Sequence, residues 1–443
     1  MRPCLHFQYK KERLYLNLQM NYMNNKVRTL LVIAALSITA CKGPQKEDKP
    51  IVFIDPLLEN RDTTLNPGDD FFKYACGTWM KKNPIPETEK SWGIWSMVQE
   101  ETYNRMRLVS EAAAKAKSSN GSNQQKIGDF YFSGMDTVSI NKNGIAPLAE
   151  ELKRIDGIID MRSLTSTIAL HQAYGVAPLF GAHIFQDEMR SEQQALHFYQ
   201  GGIGLPDRDY YFNNDARTIN IRFEYQKHLE AMFKLMGDDS LTASKNAATV
   251  FKIESSLAKA SRKLEALRDP YLNYNKMQIT GLKALTPSID WQMMLEGMHV
   301  FGVDSVIVGQ PEFFRETERL LKVYPLNDWK VYLRWQLINT FATYLSKPFE
   351  DQNFKFYGTV LSGVKVQRPR WKRVLDVEEG AIGDMLGQLY VSKYVSPAFK
   401  KRYQDLTDNI ISAYRERISQ LDWMTDSTKQ KAIVKLNSIT TKV

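Results

Sequence analysis

The sequence predicts a mainly α fold with a small antiparallel β element, carried by a chain addressed out of the cytoplasm. Three observations predict it. Apolar residues recur at steps of three and four over several long stretches, two β-rich segments sit near the middle, and an apolar leader ends at a cysteine near the N terminus. The composition, 43% hydrophobic and 25% charged, is that of a globular protein, which excludes disorder for most of the chain. No fixed-period repeat is present, and 443 residues suffice for two or three domain-sized units.

The leader comes first. Lys26 and Arg28 form a positive region, Thr29 to Ala40 is an uncharged apolar run too short to span a bilayer, and Ile38-Thr39-Ala40-Cys41 has the form of a bacterial lipobox. Residues 1–40 are therefore expected to be a signal peptide. Met20 and Met23 would each place the charged region at the true terminus, so residues 1–19 or 1–22 are expected to lie upstream of the start. Cys41 is the expected lipidation site, because the thiol carries the diacylglycerol, and the chain is expected at the bacterial cell envelope, facing the periplasm or the surface. Several acyl chains hold a lipoprotein in the membrane where one would not. Residues 41–65, with the polar stretch Lys42 to Pro50, read as a tether.

The formal charge of +9 is concentrated in this leader. Six basic residues and one acid lie in residues 1–40, and without them the net charge falls to +4, scattered, with no basic stripe interleaved with aromatics. That excludes nucleic acid as a partner.

Compact structure is expected from Asn66-Pro67-Gly68 onward, where a turn signal runs into Phe71 and Phe72. Trp95, Val98, Thr102, Met106, Val109 and Ala113 mark an amphipathic helix ending before Ser118. Leu179 to Gln186 and Ala195 to Ile203 read as two strands joined by a polar loop. Ser396 is an N-cap with Pro397 after it, and Phe399, Tyr403, Leu406, Ile410, Tyr414, Ile418 and Leu421 then share one helix face. Thr425 caps a further helix with Ile433 and Leu436 turned inward.

Chemistry-bearing patterns are few. The histidines after the leader are His171, His183, His197, His228 and His299, and no two are three or four apart. H-E-x-x-H, whose spacing aims two imidazoles at one zinc, does not occur, nor do Cys-x-x-Cys or G-x-S-x-G. Gly201-Gly202-Ile203-Gly204 lacks a following Lys-Ser/Thr and reads as a turn closing a strand, not a phosphate loop. The residues on their own describe a helical extracytoplasmic lipoprotein without catalytic or metal residues. One function they permit is a non-catalytic lipoprotein that binds peptides or nutrients.

Several segments nonetheless occur together in a recognisable order. They are Asp69-Asp70-Phe71-Phe72-Lys73-Tyr74-Ala75-Cys76-Gly77-Thr78-Trp79, then Asn83-Pro84-Ile85-Pro86-Glu87-Thr88, then Gly202-Ile203-Gly204-Leu205-Pro206-Asp207-Arg208-Asp209-Tyr210-Tyr211. Phe356-Tyr357-Gly358, Arg368-Pro369-Arg370-Trp371-Lys372-Arg373, Leu386-Gly387-Gln388-Leu389-Tyr390-Val391 and Leu421-Asp422-Trp423-Met424 follow. From about residue 66 to the end the chain thus resembles the neprilysin and endothelin-converting-enzyme family of zinc metallopeptidases, in a bacterial lipoprotein form.

The resemblance implies that residues 66–443 are the large helical lobe that encloses peptide substrates, with the thermolysin-like catalytic lobe missing. In the family that lobe carries H-E-x-x-H and the third zinc ligand. Zinc is then expected in the full-length enzyme and none in this chain, which is expected to be inactive alone and to have its own missing catalytic domain as a partner. Trp95 matches a position where an aromatic lines the pocket beyond the scissile bond, although its place on the helix stripe also fits a core residue. Ser91 and Ser96 match an Arg and an Asp that help hold the peptide C terminus. Serine cannot reproduce a bidentate guanidinium clamp, so endopeptidase action is expected over a dipeptidyl-carboxypeptidase preference. Cys76 resembles a family cysteine that forms a disulfide with the missing half.

Overall fold

Acidic and hydroxyl side chains open most of the helices, as their preference for accepting from free N–H groups dictates. The computed structural model describes residues 55–443, which fall into two compact units divided at Asn83 and Pro84. The leader, Cys41 and the segment up to residue 54 lie outside the described residues.

In the first unit, a single turn at Pro56–Glu59 precedes helix α1, Phe71–Lys82, which Asp70 caps through the Lys73 N–H at 2.9 Å. Ordered structure therefore starts upstream of residue 66, where a tether was expected to continue. The cause is Asp62: its carboxylate is buried, accepts from Lys81 Nζ at 2.7 Å and from the Thr64 hydroxyl, and pins the preceding segment against α1. The lysine holds this carboxyl below its ordinary range.

The second unit begins at Pro84. Its first long helices are α2, Ile94–Lys115, and α3, Asn123–Met135, the latter capped by Ser122. Next come α4, Met161–Ala173, and strands β1, Phe180–Asp187, and β2, Arg190–Gln200. Helices α5, Ala216–Leu235, and α6, Ser240–Ala260, start at Asp215 and Asp239. The short strands β3, Lys276–Gln278, and β4, Ser305–Val308, flank helix α7, Trp291–Gly297. Helices α8, Pro311–Val323, and α9, Leu326–Phe341, follow, and then a π-helical turn at Phe354–Leu361. The chain closes with α10, Arg370–Tyr394, α11, Pro397–Gln420, and α12, Asp426–Asn437. The mainly α expectation is met, and no helix of the described residues is long and apolar enough to cross a membrane.

The β element is larger than the expected hairpin. It is a four-stranded mixed sheet in the order β1-β2-β4-β3, with β2 and β4 parallel and the outer pairs antiparallel. The stretch expected as a polar loop is mostly strand. Arg190 to Gln194 are all exposed, so no alternation marked them, yet β2 pairs with β1 at Arg190 and again from Gln194 onward, with an irregularity between. Buried Asp187 sets the tight turn by accepting from the Met189 N–H at 2.9 Å, the Tyr274 hydroxyl at 2.9 Å and Lys276 Nζ at 2.8 Å.

Two hydrophobic cores form. The larger packs the sheet and α4–α9 around aromatic side chains, with Phe180 lying 5.2 Å from Phe198, 5.6 Å from Trp291 and 5.4 Å from Phe314 between ring centroids. The smaller joins Tyr103, Met106, Val109 and Ala113 of α2 to Ile127 and Tyr131 of α3 and to Val374, Leu375 and Leu386 of α10. Helix α11 enters neither: none of its side chains is buried.

Candidate functional site

The residues expected to face substrate sit at the start of α2. Gly93 is its N-cap, in extended backbone, and its N–H donates to Ser96 Oγ at 3.2 Å. Ser96 is thus the helix-capping side chain and half-buried, while Ser91 is exposed. Trp95 is 86% exposed, and Ile94, Met97 and Val98 are exposed with it. The apolar stripe read from sequence therefore divides. Its lower part, Met106, Val109 and Ala113, is core, and its upper part is an apolar surface, because α3 and α10 reach only the C-terminal portion of α2. Trp95 is not a core residue among the described residues. Cys76 is half-buried on α1 and is the free cysteine of the described residues.

Directly beneath that surface, α10 is tied to α2 by polar contacts. Arg368 Nη2 donates to Asp376 at 2.6 Å and its Nη1 to the Tyr103 hydroxyl at 3.2 Å; Tyr103 in turn donates to Asp376. Lys372 pairs with Glu100, and the Arg107 guanidinium lies 4.9 Å from the Trp371 ring centroid. The Arg368 to Arg373 segment, conspicuous in sequence, is in this way a clasp holding two helices in register.

The Gly202 to Tyr211 segment is held from below. The Tyr332 hydroxyl meets the carbonyl oxygens of Pro178 and Gly202, and Tyr357 donates to the Gly204 carbonyl at 3.1 Å. The Leu205 N–H donates to the Tyr211 hydroxyl at 3.2 Å, which donates on to Glu254 at 2.9 Å. Glu254 also accepts from Tyr225 at 2.8 Å and from Trp335 Nε1 at 2.9 Å. It is fully buried, and loss of solvent pushes its carboxyl up to about 7 against the pull of these donors. Gly202 has φ +76°, and a Cβ on Gly204 would stand 2.0 Å from the Tyr225 hydroxyl. The segment is a caged turn after β2, and its glycines serve backbone shape and close packing. Sequence reasoning missed Glu254, because nothing near it in the chain marks it: its partners lie 29 to 81 positions away.

His171, His197 and His228 are buried, whereas His183 and His299 are exposed. His228 is buried 5.0 Å from the Phe356 ring centroid, and desolvation lowers it to about 3, leaving it neutral. His171 is buried beside Glu151 at 3.4 Å. His183 and His197 face each other across β1 and β2 with rings stacked at 4.9 Å. Among the described residues no group of three or more His, Cys, Asp or Glu side chains is arranged to hold a metal ion. The chain's own described residues therefore do not fit a zinc site.

Comparison with known proteins shows what this architecture is similar to. Residues 67–443 match the model for Peptidase family M13. Neprilysin-3 of Drosophila melanogaster is 28% identical over 404 residues, covering 86% of this chain and 51% of the fly protein. Endothelin-converting enzyme 1 of Rattus norvegicus is 25% identical over 396 residues, covering 86% and 51%. Among solved structures, the zinc metalloprotease Zmp1 of Mycobacterium tuberculosis superimposes with a TM-score of 0.79 at 32% identity, covering 87% of this chain and 58% of that one. The chain spans about half the length of the curated relatives it matches.

Proposed function

The chain belongs to peptidase family M13, and from that premise we propose that it is the N-terminal, substrate-enclosing lobe of an envelope-anchored zinc metalloendopeptidase that cleaves oligopeptides. In this reading the zinc, the H-E-x-x-H helix and the general base belong to a catalytic lobe outside these 443 residues. The chain by itself then cleaves nothing. Cys41 carries the lipid anchor, residues 1–40 are removed as a signal peptide, and Cys76 is the cysteine available to the other half.

One observation carries the proposal. Helix α11 runs for 24 residues with no buried side chain, and Phe399, Tyr403, Leu406, Ile410 and Tyr414 each remain 46 to 57% exposed on it. An apolar helix face left open to water is the mark of an absent partner surface. The exposed group at Ile94, Trp95, Met97 and Val98 is a second such surface, and it includes the aromatic expected to line the substrate pocket.

With Ser91 and Ser96 in place of a charged pair, the lobe offers a peptide carboxyl terminus no guanidinium at these positions. Cleavage within peptides follows as the preferred mode. What the lobe contributes is orientation, size selection and exclusion of water around the scissile bond.

Immunodetection of the native, membrane-extracted protein tests the reading. A species much heavier than 51.1 kDa, with chelator-sensitive peptidase activity in the same fraction, is the expected result. A species slightly lighter than that mass, devoid of activity, would sink the peptidase assignment for the molecule in the cell.

A further inference from the structure

Between the two cores lies a cavity of about 460 Å³, within the range that accommodates small ligands. Its walls come from α3, the turn at Thr343 and Tyr344, and the first half of α10. Phe130, Ile140, Tyr344, Val374 and Val377 make most of it apolar.

One wall has a different character, because Arg370 and Arg373 line it. Arg370 donates through Nε to the Gly134 carbonyl at 2.8 Å, and its Nη1 stands 3.5 Å from Glu350 Oε2. Arg373 donates through Nε to the Arg368 carbonyl at 3.0 Å and meets the other Glu350 oxygen through Nη1. One buried carboxylate therefore serves two guanidinium groups. Among the described residues neither Nη2 donates a hydrogen bond to the protein, and both are open to solvent. Asp376, the other carboxylate at the cavity, is already held by Arg368. The wall is left with one positive charge in surplus, and burial lowers the proton affinity of both arginines.

We propose that this cavity binds an amphiphilic monocarboxylate, its chain among Phe130, Ile140 and Val377 and its carboxylate on the free edges of Arg370 and Arg373. A planar monoanion supplies the acceptor that the guanidinium edges lack and cancels the single surplus charge. A dianionic phosphate would leave a net negative charge against apolar walls, which is unfavourable. Two sources offer the chemistry that fits: a free fatty acid, and the carboxyl terminus of a hydrophobic peptide. The assignment does not depend on the peptidase reading.

Calorimetric titration of the full chain with decanoate, decanol, N-acetyl-leucyl-phenylalanine and its amide tests the assignment. At least one carboxylate is expected to bind saturably at one site, with its neutral counterpart roughly tenfold weaker or worse, since a hydrogen-bonded charge contributes about 1.5–3 kcal/mol. Binding of decanoate alone identifies a fatty acid as the ligand source, and binding of the peptide alone identifies a peptide terminus. Equal binding of the neutral counterparts, or no saturable binding of either carboxylate, overturns the proposal. Two variants complete the test, with thermal melting to check that each is folded. Arg370→Gln should weaken binding about as much as removing the ligand's charge does. Ser133→Trp places a large ring from an exposed position into the cavity without touching Glu350. Undiminished binding by a folded Ser133→Trp protein would locate the ligand elsewhere.

Discussion

Ser110 on α2 donates a hydrogen bond of 2.7 Å to Glu378 on α10, joining two fully buried side chains 268 positions apart inside the smaller core. The other oxygen of Glu378 has no partner among the described residues, and burial pushes the carboxyl up to about 7. This pair fixes how α10 meets α2, and with it the clasp beneath Trp95. Ser110→Ala removes the one donor and leaves a buried carboxyl without a partner. A loss of about 1–3 kcal/mol is expected in urea denaturation; an unchanged midpoint would mean that water replaces the hydroxyl.

Glu378 and Glu254 together give stability a definite pH dependence. Both carboxyls are raised in the folded state from an ordinary 4.5 to about 7, so folding favours their protonated forms. Their contribution is full below about 4.5, declines as pH rises toward about 7, and is gone above it. Denaturation midpoints should therefore fall across that window, once other groups are held common by comparison with variants. Glu378→Gln and Glu254→Gln should each flatten the decline. A slope that neither variant alters would assign it to other groups.

Gly204→Ala should be poorly tolerated. The added methyl would meet the Tyr225 hydroxyl at 2.0 Å, and that tyrosine cannot retreat because Glu254 holds it in the larger core. Overpacking of this kind costs about 1–3 kcal/mol. Thermal melting and near-ultraviolet dichroism would report it, with Gly380→Ala, where nothing lies within 4 Å, as the control.

The open apolar faces predict a contrast between stability and assembly. Trp95→Ala and Ile410→Asp replace exposed side chains, so the isolated chain should change by no more than about 0.5 kcal/mol. Ile410→Asp should reduce self-association by light scattering and weaken association with the proposed catalytic lobe. A large destabilisation of the isolated chain by either change would show that the face already has a partner within it.

Metal removal provides a further check on the division of labour. Incubating the 443-residue chain with a zinc chelator is expected to leave its melting temperature unchanged, because its described residues assemble no metal site. A chelator-induced drop would demand ligands outside residues 55–443.

Much of the local structure was legible in the sequence, since capping and periodicity are local. Ser396 and Thr425 cap α11 and α12 as their residue types dictate, and Leu436 is buried as expected. The stripe from Phe399 to Tyr414 had the right period, yet period reveals a face and not what covers it. The same limit applies at Trp95, whose stripe continues past the reach of α3 and α10. Glu254 and Glu378 were illegible for another reason. Each sits in an ordinary helical stretch, and only the fold brings its distant donors together. The strand at Arg190 to Gln194 escaped because backbone pairing, not side-chain alternation, holds it.

The separation of the two cores has a mechanical consequence. Where apolar packing is continuous, a protein resists deformation as one body; where two packed regions meet at a seam, bending concentrates there. The clasp of Arg370 and Arg373 on Glu350 crosses that seam like a pin through a joint, with the cavity beside it as slack. Helix α2, which carries Trp95 at its free end, belongs to the smaller of the two bodies. A rotation about that seam would carry α2 with it, and with α2 the exposed Trp95 at its N-terminal end.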